Sequence, residues 1–148
     1  MAESATISKV IILSDRDQLV SAMRTELKKL GLDHESIFAS DKPVECKDVI
    51  AAAEYPLLVL DWDSDVQRIM LLLQSFKTKH RYEQIPIYLV SSNPSDELVH
   101  SAAEYGVTKV KIGELVPAEL KTDLKELFKE VSTITPIKEL LNQLYGFK

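Results

Sequence analysis

Cysteine is nearly absent from this sequence. The single Cys46 rules out a disulfide framework within the chain and a cysteine-rich metal site. A reducing, cytoplasmic setting is the natural expectation for a lone thiol of this kind. Glycine is scarce too, with four residues, and neither a low-complexity tract nor an internal repeat is visible. No apolar run approaches the roughly 18 residues that a membrane-spanning helix needs. The first ten residues, MAESATISKV, lack the apolar stretch of a signal peptide. There is no excess of positive charge: the net charge is −5, so a broad nucleic-acid footprint is not expected and direct nucleic-acid binding is set aside. What is present is ordinary for one globular domain: 148 residues, 45% hydrophobic and 28% charged.

Short apolar runs alternate with amphipathic stretches. Val10–Leu13, Leu57–Leu60 and Ile85–Val90 are continuous apolar runs, the pattern of strands covered on both faces of a parallel sheet. A weaker strand is expected around Ser36–Ala39, after Gly31. Residues 107 to 112 alternate, which suits a half-covered edge strand. Helical spacing of apolar residues runs over 17–30, 43–54, 65–77, 94–104 and 117–131. The resulting order is (βα)₅. Right-handed crossovers then give a flavodoxin-like three-layer α/β sandwich with strand order 2-1-3-4-5. This unit is expected to occupy residues 1–132. Beyond it, Thr135-Pro136 reads as a helix start, and Ile137, Leu140, Leu141 and Leu144 form an apolar stripe. Residues 133–148 are therefore expected to be an extra C-terminal amphipathic helix. It would pack on the domain, form a homodimer surface or lead into a linker.

In such a sheet, ligands bind beyond the carboxyl ends of the strands. Those ends carry Ser14-Asp15-Arg16-Asp17, then Asp61-Trp62-Asp63-Ser64-Asp65, then Ser91-Ser92-Asn93. Neighbouring strands bring Asp15, Asp61 and Ser91 to one cleft. Two carboxylates and a hydroxyl suit a hard cation with a phosphoryl group. Asp17, Asp63 and Asp65 fit equally well as helix-start residues. His34, His80 and His100 show no metal-ligand spacing. Lys77, Lys79, His80 and Arg81 read as a solvated cluster at a helix end.

These residues resemble the response-regulator receiver domain over about residues 8 to 131. The likeness lies in Val10–Asp17, in Lys28–Leu32, in Pro56–Asp61, in Ile85–Ser92 and in Ala102–Val107. It implies that Asp61 accepts a phosphoryl group and that Ser91 is the switch hydroxyl. Mg²⁺ would be held by Asp15, Asp61 and the backbone carbonyl of Asp63. The implied partners are a histidine kinase or another signalling protein of a two-component pathway. Several positions depart from the family pattern. Ser14 stands where the family has a first acidic residue, so Mg²⁺ binding is expected to be weak or absent. Gly113 and Glu114 stand where it has a lysine and a proline. Lys111, the nearest substitute, lies roughly 6.6 Å further back along the strand. Val110 replaces the switch aromatic. The expectation is a degenerate receiver, or pseudo-receiver, acting through protein contacts. The alternative is an interaction module that never uses phosphate.

A second resemblance competes. Leu58–Asp63 is similar to the first motif of haloacid-dehalogenase-like phosphatases, with Asp61 as nucleophile and Asp63 as acid and base. Tyr88–Asn93 is similar to their second motif. That family's first motif opens the domain, whereas here it follows two βα units. The chain also lacks a later acidic pair and room for a cap.

Overall fold

The computed structural model describes residues 7–77, 85–93 and 95–131. Its elements alternate as expected. They are β1 (Lys9–Leu13), α1 (Asp17–Lys29), β2 (Ile37–Ser40), α2 (Pro43–Ala52), β3 (Pro56–Asp61), α3 (Val66–Lys77), β4 (Ile87–Ser91), α4 (Asp96–Glu104), β5 (Lys109–Ile112) and α5 (Pro117–Val131). A short 3₁₀ turn, His34–Ser36, precedes β2. All strand pairs are parallel, in the order β2-β1-β3-β4-β5. The flavodoxin-like fold expected from the pattern is the fold observed. The proposed helix at 133–148 and the basic residues Lys79, His80 and Arg81 lie outside the described residues.

The continuous apolar runs are explained by two buried faces. Ile11, Leu13, Leu58, Leu60, Ile87 and Leu89 face one layer, where they meet Cys46 and Ile50 of α2, Ile69, Leu72 and Leu73 of α3, and Leu98 of α4. Val10, Ile12, Leu57, Val59, Tyr88 and Val90 face the other layer. There they meet Leu19, Met23 and Leu27 of α1 and Leu120, Leu124 and Leu127 of α5. Alternate residues of each strand thus supply opposite cores. A polar contact is built into the second core: the Tyr88 hydroxyl donates to Asp123 Oδ2 at 2.6 Å.

Helix ends follow local chemistry. Gly31, at φ +100, closes α1 with a two-bond reversal: its N–H donates to Lys28 and that of Leu32 to Leu27. Asp65 Oδ1 accepts from the N–H groups of Gln67 and Arg68 and starts α3, as its position suggested. Ser95 starts α4 by accepting from Leu98 N–H at 3.1 Å. β4 begins two residues later than its apolar run because Pro86 has no N–H to give the ladder; its carbonyl still accepts from Leu58.

Candidate functional site

The parallel register places the ends of β1, β3 and β4 side by side. Leu13 pairs with Leu60, and Asp61 with Val90. Asp61 is thus delivered one residue past the last β1 pairing, between the β1–α1 loop and the end of β4. It is fully buried, 0% exposed.

A buried carboxylate has to be satisfied. Here four donors reach it. Arg16 holds it with two prongs, Nε to Oδ2 at 2.7 Å and Nη2 to Oδ1 at 2.8 Å. The Ser14 hydroxyl donates to Oδ2 at 2.7 Å, and the Asp63 N–H to Oδ1 at 3.1 Å. Ser14 Oγ in turn accepts from Arg16 N–H at 3.0 Å, which fixes the loop that carries the guanidinium. The Arg16 pKa is raised, first by the hydrogen bonds to Asp61 and then, against burial, by the charges of Asp61, Asp63 and Asp15.

Asp63 does not cap a helix, contrary to the reading of its position as a helix-start residue. The turn after β3 points its side chain across to the end of β4. Oδ2 accepts from Ser92 N–H at 2.7 Å, and Oδ1 lies 3.1 Å from the Ser91 hydroxyl. The same hydroxyl lies 2.9 Å from the Asn93 carbonyl oxygen, so its one proton serves one acceptor at a time. Arg16 Nη2 is 3.7 Å from Asp63 Oδ2. Burial opposes ionisation of Asp63, yet the hydrogen bonds from Ser92 and Ser91 and the Arg16 charge lower its pKa. The sign of the pH effect follows. Asp63 adds stability above its unfolded-state pKa, and that stability is lost as pH falls through the lower folded value. Asp63→Asn is expected to flatten the acid limb of a urea-midpoint profile, with parent and variant converging below the carboxylate range.

The remaining expected residues are placed as follows. Asp15 is exposed; its N–H donates to Ser64 Oγ at 2.9 Å, tying the loops after β1 and β3 together. Ser91 is buried at the end of β4, beside Asp63 rather than Asp61. Lys111 turns toward α5, on the face shared with Tyr88 and Val90. Its ammonium contacts Glu119 Oε1 at 3.3 Å and the Ile112 carbonyl at 3.2 Å. It lines a groove of about 560 Å³ with Lys109, Glu119 and Asp123. Gly113 donates its N–H to Ser91 at 2.9 Å with φ +109, a backbone that residues with side chains rarely adopt. A lysine at 113 is therefore strained in this backbone. Trp62, which directly follows Asp61, is buried in the core cluster that also holds Cys46 and Leu98.

The receiver resemblance implies Mg²⁺ at this place. A hard divalent cation takes oxygen ligands. Here both Asp61 oxygens are engaged by donors, Ser14 offers a hydroxyl in place of a carboxylate, and a guanidinium lies between Asp61 and Asp63. Among the described residues, no three His, Cys, Asp or Glu side chains converge as a metal-ligating group. As arranged, the residues do not fit the ion.

The fold is the one that receiver domains have, and comparison with known proteins bears out that resemblance. The chain is 22% identical over 120 residues to the chemotaxis protein CheY homolog of Campylobacter jejuni, covering 80% of this chain and 91% of the relative. It is 22% identical over 118 residues to chemotaxis protein CheY1 of Helicobacter pylori, covering 79% and 94%. Among solved structures, the chemotaxis response regulator CheY4 of Vibrio cholerae superposes with a TM-score of 0.68 at 16% identity, over 82% of this chain and 98% of that one. The signal receiver domain of an HD domain-containing protein from Pseudomonas fluorescens superposes with a TM-score of 0.73 at 13% identity, over 90% and 95%. No family model matches the chain. Among the described residues, no helix is long and apolar enough to cross a membrane.

Proposed function

We propose that this chain is a receiver-like regulatory domain that works through protein–protein contacts in a cytoplasmic signalling pathway, without using Asp61 as a phosphoacceptor. The observation that carries this is the saturation of Asp61: a fully buried carboxylate with a two-pronged arginine, a hydroxyl and a backbone N–H on its two oxygens. A carboxylate nucleophile needs a free oxygen facing the phosphoryl donor and a cation to offset the gathering negative charge. Here the charge of Asp61 is already matched from within, and attack would require Arg16 to leave first. The partner would be a histidine kinase or another signalling protein that reads the domain's outer surface. The phosphatase reading is disfavoured on the same ground. It needs Asp61 as a free nucleophile and Asp63 as a free acid, and Asp63 is held by Ser91 and Ser92.

The test is intact mass after incubation with a small-molecule phosphodonor and Mg²⁺, with Asp61→Asn alongside. No added phosphoryl group is expected on the parent. A gain of one phosphoryl mass on the parent and none on the variant would overturn the proposal.

A further inference from the structure

We propose that Arg16 is the resident cation of this site, a covalently supplied replacement for a divalent ion; this rests on the reading of Asp61 as a closed site and extends it to what closes it. Three observations converge. The guanidinium sits between the side chains of Asp61, which ends β3, and Asp63, two residues on, at 2.7 and 2.8 Å from the first and 3.7 Å from the second. It is a delocalised charge whose fork matches a carboxylate, so it satisfies both Asp61 oxygens at once, as a compact ammonium cannot. Ser14 completes the exchange. A carboxylate there would add a second negative charge beside Asp61, whereas the hydroxyl donates a proton to Oδ2 and accepts the Arg16 N–H.

The consequence reaches the end of β4. Asp63 is shared: its Oδ2 faces Arg16 and takes the Ser92 N–H, while its Oδ1 takes the Ser91 hydroxyl. Arg16, Asp61, Asp63, Ser91 and Ser92 thus link the ends of β1, β3 and β4 with no external ion. The loop after β4 is held by an internal charge that does not depend on ion concentration. The site is set in one state.

Removing the guanidinium and restoring a carboxylate should make the site answer to a divalent ion. The experiment uses the full chain as parent, Arg16→Met and Ser14→Asp/Arg16→Met. Each is titrated with MgCl₂ against NaCl of equal ionic strength, following Trp62 emission and thermal melting. The parent is expected to show no Mg²⁺-specific change in either. The double variant is expected to show a saturable shift in both, reversed by EDTA, where the parent shows none. Arg16→Met alone is expected to melt lower than the parent and to be partly restored by Mg²⁺, and it carries the comparison if the double variant does not fold. A saturable parent response matching that of Arg16→Met would overturn the inference. So would cooperative melts in both variants with no Mg²⁺ effect in either. A parent that responds to Mg²⁺ yet gains no phosphoryl mass removes this inference and leaves the proposed function standing. A parent that gains phosphoryl mass removes the proposed function, and with it the closed Asp61 on which this inference rests.

Discussion

Replacing Arg16 with methionine is expected to lower the free energy of unfolding by about 3 kcal/mol. Removing one partner of a buried ion pair strands the other charge, at a typical cost of about 3–5 kcal/mol. The lower end applies because the Arg16 side chain remains 36% exposed, so water already screens part of the pair. Asp61 keeps the Ser14 hydroxyl and the Asp63 N–H, but neither carries a charge to oppose its own. Urea unfolding followed by Trp62 fluorescence reads the change as a lower midpoint at unchanged slope. Adding Asp61→Leu to Arg16→Met is expected to recover most of the loss, because the pair then vanishes together and an apolar side chain fills a site 0% exposed. A loss under about 1 kcal/mol in the single variant would place the guanidinium in solvent and sever it from Asp61.

The second large effect concerns Cys46. Burial, followed by the nearby Glu45 and Asp41 charges, pushes its thiol from 9.0 up to about 12. Thiolate is the reactive form, so at neutral pH its share falls about a thousandfold from this cause alone. The side chain is also closed to solvent, within the core cluster that holds Ile11, Ile50 and Trp62. A thiol reagent is therefore expected to label native Cys46 more than about a thousandfold slower than the urea-unfolded chain. Labelling should then track the unfolded fraction, and the destabilisation expected for Arg16→Met should raise it about a hundredfold. Rapid labelling of the native chain would instead show α2 opening locally, ahead of global unfolding.

The sheet was readable because its signal is redundant. Val10–Leu13 and Leu57–Leu60 are short and apolar at every position, the pattern of a strand covered on both faces, and Gly31 marks a helix end that needs positive φ. The strand ends were readable as a place, and Asp61 and Ser91 stand there. The wiring was not. Asp63 looked like one more helix-start carboxylate, and only the turn after β3 decides that it reaches Ser91 and Ser92. Arg16 drew no functional reading because its loop was read for its acids. A signal was nonetheless available: Asp15, Asp17, Asp61, Asp63 and Asp65 crowd the ends of β1 and β3, and Arg16 is the single cation within those two segments. Charge balance at a buried strand end identifies it as the residue to watch.

The pairing of Leu13 with Leu60 has a meaning beyond the site. Slide β3 by one residue against β1 and every side chain changes face. Asp61 would then turn from the β1–α1 loop toward the opposite core, with no guanidinium to meet it, while Arg16 stayed behind without its acceptor. The apolar runs cannot police such a slip by themselves, since Leu57–Leu60 is apolar on both faces and would bury almost as well in either phase. The Arg16–Asp61 contact supplies the missing discrimination. It favours the observed alignment over a one-residue slip, which would leave a stranded carboxylate.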